Sequence, residues 1–368
     1  MLLIIMMTAL GVDTAVADAA VTKTAFGKLP DGTTAEIYTL KNEEIEVRIA
    51  NYGARIVAIE TKDRDGKMGD VVLGYDSVEG YVAEEASKTY VGAIVGRYGN
   101  RIRNGKFTID GHEYQIPLNN GANALHGGPH GFDDQIWAVK ELADGVEMTL
   151  VSKDGDMGFP GTLTLHVRYT LVGSALHINY AATTDKTTVV NVTNHAYFNL
   201  AGDGSGPILP EVMQINADEY TPVDAGLIPV GGAKPVAGTP FDFNKPTVIG
   251  ERIHEANEQL KFGGGYDHNW ILRGKPGEMK VAARVYDPKS GRVLTESTTE
   301  PGVQFYSGNA IPGLYKGKTG VVYGKYAGFC LETQHYPDSP NQPEFPSTVL
   351  KPGVTMRSET VYAFSVRK

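Results

Sequence analysis

One histidine in the segment NVTNHAYFNLAG, residues 191–202, stands among amide and aromatic side chains with hardly any charge. An imidazole in this setting allows two interpretations. His195 can be a core histidine whose ring nitrogens bond to Asn194, Tyr197 or Asn199, or it can give and take a proton in a binding site. The residue types alone leave both interpretations open.

A carboxylate that could partner such a histidine occurs in GFCLETQHYPDSPNQPEFP, residues 328–346. Glu332 directly follows the apolar run Phe329, Cys330 and Leu331, where an ionised group is costly unless it is paired or used in catalysis. Burial would raise the pKa of this carboxyl from about 4.3. The alternation of a strand could instead place Glu332 on an outer face, as an ordinary exposed residue.

Two glycine-containing segments carry side chains suited to hydroxyl groups. In GRYGNRI, residues 96–102, Asn100 and Arg101 combine an amide with a planar fork of donors, which suits a pair of adjacent hydroxyls. In GGGYDHNWIL, residues 263–272, Asp267 can accept two hydroxyl protons where three glycines permit close approach of the backbone. Each segment also has a plain structural interpretation, as a strand bend with an exposed arginine or as a capped turn.

Histidines also bracket a glycine–proline loop in NALHGGPHGFDDQIW, residues 123–137. A zinc site needs three or four ligands at close spacing, and His126 and His130 have neither helical spacing nor a nearby cysteine. A loop that brings one imidazole close to a ligand fits the sequence better. We therefore predict no metal site.

The elements that must position these residues are strands. Polar and apolar residues alternate with period two in residues 162–172 and 175–180, which predicts a hairpin around a Gly-Ser turn. KFTIDGHEYQI, residues 106–116, predicts a second hairpin with an Asp-Gly turn. Helical periodicity is confined to residues 249–260, which predict one short helix. Because strands do not alternate with helices, we predict an all-β fold, a large antiparallel β-sandwich with few short helices.

The composition excludes several classes of protein. The chain has 368 residues, of which 41% are apolar and 21% charged, as in an ordinary globular protein with a sizeable core. The net charge is −9 and the basic residues are scattered singly, which argues against nucleic acid or an anionic membrane as the partner. Cys330 is the only cysteine, so an intrachain disulfide is excluded.

The N-terminal segment has features of a secretory signal peptide. Its apolar run MLLIIMMTALG is too short to span a bilayer, which takes about 20 residues. Ala15, Val16 and Ala17 then follow the small-residue pattern of a cleavage site, although the positively charged beginning of such peptides is absent. We predict a signal peptide within residues 1–20 and no membrane span in the mature protein. The predicted location is periplasmic or secreted, with the cytoplasm as the alternative.

These motifs together resemble the aldose 1-epimerase (galactose mutarotase) family, whose order they follow along nearly the whole chain after the N-terminal segment. One such motif would be weak support, whereas seven in order are specific. The resemblance implies a galactose-mutarotase-like β-sandwich in one domain, residues 21–368. It also implies interconversion of the α and β anomers of free aldohexoses such as glucose and galactose. The matching segments are NYGARI, GRYGNRI, LHGG, NHAYFNLAG, GGGYDHNW, EPGVQFYSGN and FCLETQHYPDSPN.

Residue by residue, the resemblance implies that Glu332 is the general base and His195 the general acid. His126 matches the second active-site histidine, and the sugar-binding positions are occupied as well. These are Arg101, Asp267 and Gln304, with Asn100 in the same motif as Arg101. No metal or other cofactor is implied, and the partner is a small-molecule aldose. His130 and His268 are weaker candidates.

A carboxylate and an imidazolium suit the opening and closing of a sugar ring. One removes the proton of the C1 hydroxyl while the other protonates the ring oxygen, and both return to their starting state when the ring closes. We expect His195 to be charged at rest, because the carboxylates Glu332 and Asp267 would favour imidazolium. This chemistry gives His195 its catalytic interpretation.

Three alternatives remain at this stage. A hexose-6-phosphate 1-epimerase of the same fold would need further basic residues converging on a phosphate, and Arg101 alone is thin support. A non-catalytic carbohydrate-binding protein of the same fold would lack the acid or the base. A glycosidase would need two carboxylates, for which Glu332 and Asp267 could serve, but the histidines would then be unexplained. Neither the preferred aldose nor the oligomeric state can be inferred from the sequence.

Overall fold

The computed structural model describes residues 19–368, and within them the chain is built mainly from strands. Short strands with many turns follow from the frequent glycines and prolines. In chain order the strands are β1 (Ala20–Lys28), β2 (Thr34–Lys41), β3 (Ile45–Ala50), β4 (Arg55–Lys62), β5 (Met68–Asp70), β6 (Ile94–Val95), β7 (Arg101–Ile102), β8 (Lys106–Ile109), β9 (His112–Gln115), β10 (Ala124–Leu125), β11 (Ala138–Glu141), β12 (Gly145–Ser152), β13 (Leu163–Val172), β14 (Ala175–Thr184), β15 (Thr188–Val189), β16 (Thr193–Asn194), β17 (Val212–Ile215), β18 (Ala217–Thr221), β19 (Lys234–Pro235), β20 (Thr247–Val248), β21 (Asp267–Leu272), β22 (Lys280–Tyr286), β23 (Arg292–Thr298), β24 (Gly302–Tyr306), β25 (Cys330–Gln334), β26 (Val349–Leu350) and β27 (Met356–Val366).

Helices are few and short. The α-helices among the described residues are α1 (Val78–Glu84) and α2 (Glu258–Gly263). Single turns of 3-10 helix occur at Glu85–Ser87, Arg103–Gly105, Phe132–Asp134, Asp156–Gly158, Ile249–Glu251 and Ser339–Asn341. No helix within residues 19–368 has the length and apolar character needed to cross a membrane.

Three large sheets, all paired antiparallel, make up the sandwich. The largest has nine strands in the order β11-β12-β13-β14-β27-β23-β22-β17-β20. It packs against two five-stranded sheets, β1-β2-β3-β4-β5 and β19-β18-β21-β24-β25. One continuous core joins them, with Val47, Val167, Trp270 and Phe364 among its buried members. The predicted antiparallel β-sandwich with few short helices is therefore confirmed.

Both predicted hairpins are present. β13 and β14 pair from Leu163 opposite Thr184 to Val172 opposite Ala175. β8 and β9 are joined by Asp110 and Gly111. Both turn residues have positive φ, 51° and 79°, which is the backbone that an Asp-Gly pair adopts in a two-residue hairpin turn.

The single helix predicted over residues 249–260 is wrong. This stretch contains one 3-10 turn and then, after a break, the start of α2 at Glu258. Asn257 explains the break, because its side chain accepts hydrogen bonds from the backbone amides of Gln259 and Leu260 and so begins a new helix. Gly264 ends that helix with φ 67°, a conformation that glycine adopts without strain.

Most of the predicted signal peptide lies outside the described residues. The last two positions of that segment, Ala19 and Ala20, do lie within them and belong to the fold. Ala19 is buried in the core, and Ala20 is the first residue of β1. The described fold thus includes the last two residues of the predicted signal segment.

Candidate active site

Three neighbouring strands form one wall of the site. β24 pairs with β21 on one side and with β25 on the other, and Gln304 lies directly opposite Glu332. Because side chains alternate between the two faces of a strand, Asp267, Gln304 and Glu332 share one face. Phe305 and Leu331 point to the opposite face and are buried in the core. Leu331 of the apolar run thus lies on the core side of the strand, whereas the other face carries the carboxylate of Glu332.

His195 lies at the end of β16, on a different part of the chain. Its backbone amide donates to the carbonyl oxygen of Ala93 over 2.8 Å, and its carbonyl oxygen accepts from the amide of Gly92 over 3.0 Å. These bonds aim the imidazole at β25, where Nε2 lies 3.7 Å from Oε1 of Glu332. Only 5% and 3% of the two side chains are exposed. The predicted acid and base therefore face each other within the protein, largely shielded from solvent.

The amide and aromatic neighbours of His195 have other partners. Asn194 donates to the Gly92 carbonyl, Tyr197 donates through its hydroxyl to the Thr89 carbonyl, and Asn199 donates to two carbonyls elsewhere. None of the three side chains is a hydrogen-bond partner of the imidazole in the described structure. The interpretation of His195 as a core histidine held by these neighbours is therefore wrong.

His126 presents a second imidazole to the same space. The backbone amide of Asn100 donates to Nδ1 of His126 over 3.1 Å. An imidazole nitrogen that accepts a hydrogen bond carries no proton, so the neutral ring carries its proton on Nε2. The rings of His126 and His195 lie 5.2 Å apart, edge to face. His126 is thus fixed as a hydrogen-bond donor in the site.

Arg101 and Asp267 form a polar clamp beside the acid–base pair. Arg101 Nη2 lies 3.9 Å from Oδ2 of Asp267, and Arg101 Nε donates to Asn120 over 3.0 Å. Gln304 Nε2 donates to Oδ1 of Asp267 over 2.7 Å. These contacts hold a guanidinium and a carboxylate side by side, where they can bind neighbouring hydroxyl groups.

A cavity of about 250 Å³ collects these side chains. Asn100, Arg101, His126, His195, Asp267 and Glu332 all line it. Gln304 does not line it and contacts it only through Asp267. The volume is slightly below the roughly 300 Å³ at the lower end of small-molecule sites, which suits a ligand as small as one sugar.

Several lining residues were not found from the sequence. They are Lys88, Tyr90, Asn120, Leu227, Tyr306 and Asn309. Tyr306 was within reach of sequence reasoning, because it shares a strand face with Gln304 two residues away. Tyr90 lies in a loop with a left-handed φ of 56°. Because loops have no regular side-chain periodicity, the sequence does not predict where this side chain points.

The two weaker histidine candidates lie outside the cavity. The side chain of His130 is 67% exposed and pairs with Asp134 over 2.9 Å. His268 is fully buried, and its ring packs against those of Phe241 and Tyr220 on the core face of β21. Neither imidazole can reach a ligand bound between His195 and Glu332.

Burial sets the charges of the acid–base pair. It lowers the pKa of His195 to about 4 and holds the pKa of His126 well below its usual range. Burial, helped by the charge of Asp267, raises the pKa of Glu332 well above its usual range. The structure therefore does not support the expected resting imidazolium, because burial disfavours the charged ring and a protonated Glu332 carries no charge to offset this.

The geometry also bears on metal binding. One ligand atom each of His126, His195 and Glu332 lie within 4.8 Å of one another, as in a site with two histidines and one carboxylate. However, the Asn100 amide occupies Nδ1 of His126, so Nε2 keeps its proton and has no lone pair to offer a metal. Two remaining ligands are too few for a tight site. The donor set therefore fits proton transfer better than metal binding.

Comparison with known proteins relates the chain to sugar epimerases. A family model described as aldose 1-epimerase matches residues 36–363. Galactose mutarotase of Bos taurus is 48% identical over 348 residues, which are 94% of this chain and 99% of that protein. Aldose 1-epimerase of Escherichia coli (strain K12) is 41% identical over 340 residues, 91% of this chain and 96% of that protein.

Solved structures agree with this relationship. Galactose 1-epimerase from Lactobacillus acidophilus NCFM matches with a TM-score of 0.82 and 30% identity, covering 95% of this chain and 100% of that one. An aldose epimerase homologue from C. elegans matches with a TM-score of 0.81 and 29% identity, with the same coverage. The predicted galactose-mutarotase-like fold is thus confirmed, and the chain belongs to the aldose 1-epimerase family.

Proposed function

We propose that this protein interconverts the α and β anomers of free aldohexoses, such as glucose and galactose, by opening and closing the sugar ring. The observation that carries the proposal is the 3.7 Å approach of His195 Nε2 to Glu332 Oε1 on the wall of a small polar cavity. The names of the relatives, galactose mutarotase and aldose 1-epimerase, support the same reaction.

Ring opening needs one proton acceptor and one proton donor. Glu332 takes the proton of the C1 hydroxyl, and the electron pair of that O–H bond forms the C1=O double bond. The C1–O5 bond then breaks towards O5, which receives a proton from Nε2 of His195. Rotation about C1–C2 turns the other face of the aldehyde, and the same two residues close the ring by the reverse transfers. Each positioned transfer contributes roughly 10²–10⁴ in rate.

The protonation states of Glu332 and His195 depend on whether sugar is bound. Burial disfavours a charge on either group, so in the absence of sugar the pair holds one proton, on Glu332. A bound sugar donates its C1 hydroxyl to the carboxylate and accepts from the imidazolium at its ring oxygen. Hydrogen bonds to the charged forms favour those forms. Sugar binding therefore moves the proton from Glu332 to His195 and creates the reactive pair.

The other lining groups orient the ring. Nε2–H of His126 is a fixed donor, and Arg101 offers further N–H donors beside the Asp267 carboxylate. Donors and an acceptor in alternation suit the hydroxyls of a pyranose, each of which both donates and accepts. Tyr90 and Tyr306 add apolar ring surface to the same cavity.

The cavity gives little support to a phosphorylated substrate. Its basic side chains are Arg101 and Lys88, and each already has acidic or carbonyl partners. A purely binding function is also disfavoured, because the acid and the base are both present and face each other. Free aldoses therefore remain the proposed substrates.

We also propose that the protein is exported to the periplasm or secreted. The support is the apolar run and the small-residue pattern ending at Ala17. Cleavage after Ala17 would leave in the mature chain Ala19 and Ala20, which belong to the described fold. N-terminal sequencing of the mature protein tests this, and a retained Met1 would contradict it.

Polarimetry on freshly dissolved α-glucose and α-galactose tests the catalytic proposal. We expect Glu332→Gln and His195→Asn each to slow enzymatic mutarotation by about 10²–10⁴. Glu113→Gln and His112→Asn, on the exposed hairpin β8–β9, make the same chemical changes away from the cavity and serve as matched controls. A near-wild-type rate in either active-site variant removes that residue from its role.

A further inference from the structure

A row of buried polar side chains continues from the proposed base along the same face of its sheet. Asn269, Gln304 and Glu332 stand directly opposite one another on β21, β24 and β25. Gln334 is two residues beyond Glu332 and therefore shares its face. At most 3% of any of these four residues, the polar row, is exposed. Of the four, Glu332 alone lines the cavity, so the other three lie away from the sugar.

Six atoms of the polar row have no hydrogen-bond partner among the described residues. They are both amide atoms of Asn269, both amide atoms of Gln334, Oε1 of Gln304 and Oε2 of Glu332. The remaining amide atom, Nε2 of Gln304, donates to Asp267 over 2.7 Å. The polar row thus combines amide donors with amide and carboxyl acceptors in the interior of the protein.

A glycine brings the two ends of the polar row together. Gly302 lies on β24, directly opposite Gln334. A Cβ added to Gly302 would lie 2.5 Å from Oδ1 of Asn269, so the Asn269 amide extends over β24 towards Gln334. The ring of Tyr336 lies 3.0 Å from the same Cβ position and covers this part of the sheet. The amide groups are therefore gathered in one enclosed place.

Buried polar groups without a partner are costly, and folded proteins contain few of them. Ordered water satisfies such groups where protein atoms do not, with about three hydrogen bonds to each water molecule. Water both donates and accepts, as the mixture of groups in the polar row demands. Six atoms call for about two water molecules. We propose that the polar row binds ordered water, and that this water donates a hydrogen bond to Oε2 of Glu332.

Water bound here acts on the base without touching the sugar, a role that rests on the proposed function. Oε1 is the carboxyl oxygen that lies nearest His195, which leaves Oε2 for the water. When sugar binds, Glu332 gives its proton to His195 and becomes a carboxylate. A hydrogen bond donated to a carboxylate favours this charged form. The water therefore stabilises the base in the state that removes the C1 hydroxyl proton.

Other charged or titratable groups face Glu332 from the elements packed around it. None of them donates a hydrogen bond to Oε2 within residues 19–368. A substitution at Gln334 leaves all of them in place, so it changes the surroundings of Oε2 selectively. These groups are Arg101 on β7, His126 after β10, His195 and Tyr197 after β16, Asp267 on β21, Glu296 on β23 and Cys330 on β25.

High-resolution diffraction from sugar-free crystals of the whole protein tests the water site itself. We expect ordered water within hydrogen-bonding distance of Oε2 of Glu332 and of the amide of Gln334 or Asn269. Direct hydrogen bonds among the four side chains, with no water between them, would overturn the proposal. If the protein lacks mutarotase activity, the proposed function fails while the diffraction still tests this site.

Gln334→Met tests the effect on the base, because methionine has a similar length and no amide. We expect kcat to fall about tenfold, the rate equivalent of one ordinary hydrogen bond, with KM little changed. Because its carboxylate is less stabilised, Glu332 keeps its proton to higher pH, so the basic limb of kcat/KM moves upward. Gln135→Met, at an exposed amide, is the matched control and leaves both unchanged. A basic limb that stays in place in Gln334→Met, or that moves equally in the control, would overturn the role of the water.

Discussion

Asn100 and His126 hold each other through a reciprocal pair of hydrogen bonds. The amide of Asn100 donates to Nδ1 of His126 over 3.1 Å, and the amide of His126 donates to the carbonyl oxygen of Asn100 over 3.0 Å. Both residues have a left-handed backbone, with φ of 62° and 50°. Such a conformation is costly for residues other than glycine and persists where the surroundings determine it. The imidazole is therefore fixed before any sugar binds.

The hydrogen bond that fixes the protonation of His126 predicts that zinc does not inhibit the enzyme. Because Nε2 of His126 keeps its proton, only His195 and Glu332 can offer a lone pair to the metal. We expect micromolar Zn²⁺ to leave the rate of mutarotation unchanged, and calorimetry to detect no tight binding at the cavity. If zinc inhibits in competition with sugar, and this inhibition disappears in His126→Gln, then Nε2 of His126 does bind zinc and the assigned protonation is wrong.

The pH dependence of kcat/KM follows from the proton shared by His195 and Glu332. The lowered pKa of His195 is about 4. As pH falls towards this value, the imidazole becomes protonated while Glu332 is still protonated, so neither group can act as a base. As pH rises through the raised pKa of Glu332, the pair loses its proton and has no acid left. We expect kcat/KM to rise through an acid limb near 4 and to fall again at the higher pH where Glu332 loses its proton. An acid limb near the ordinary histidine value of about 6.5 would contradict this protonation scheme.

Gly127 permits the close packing next to His126. Its φ is 94°, and a Cβ added there would lie 2.1 Å from the carbonyl oxygen of Gly96, a backbone atom that cannot give way cheaply. We expect Gly127→Ala to destabilise the protein by at least about 2 kcal/mol and to reduce activity by displacing His126. Gly121→Ala is the matched control, since Gly121 also has positive φ but open space around its Cβ. Equal effects of the two changes in thermal denaturation would exclude the clash.

A buried carboxyl in the helix α1 makes stability fall with rising pH. Burial raises the pKa of Glu84 to about 7, and its Oε1 has no hydrogen-bond partner within the described residues. The folded protein therefore binds this proton more tightly than the unfolded chain. The associated stability is complete below the ordinary pKa and is lost as pH rises through 7. We expect Glu84→Gln to be more stable than wild type at pH 8, by about 3 kcal/mol, with little gain at pH 4. A gain that is equal at both pH values would refute this origin.

The sequence was sufficient for the parts of the molecule that repeat or match motifs. Alternation predicted the hairpin β13–β14, and Asp110-Gly111 predicted the turn between β8 and β9. The motifs also contained six of the side chains that meet at the cavity. Those residues are far apart in the chain, so their meeting depends on tertiary structure that no local pattern describes.

Other features depend on competing interactions whose relative strengths cannot be inferred from the sequence alone. Asn257 caps a new helix where periodicity suggested a continuous one. Burial lowers the pKa of His195, and the extent of burial is known only from the folded chain. Tyr90 reaches the cavity from an irregular loop. Gln304 lies behind Asp267 rather than in the cavity. The strand pattern predicts which face its side chain occupies but not how far that side chain lies from the cavity.

The pairing of Gln304 with Glu332 ties the working of the site to the alignment of two strands. A slip of one position along β24 would turn Phe305 towards the sugar and bury the amide of Gln304 in the core, because successive side chains alternate. Such a molecule would lack the support of Asp267 while keeping most of its secondary structure. Turnover per folded molecule after refolding therefore measures how faithfully this sheet has aligned, which circular dichroism alone does not report.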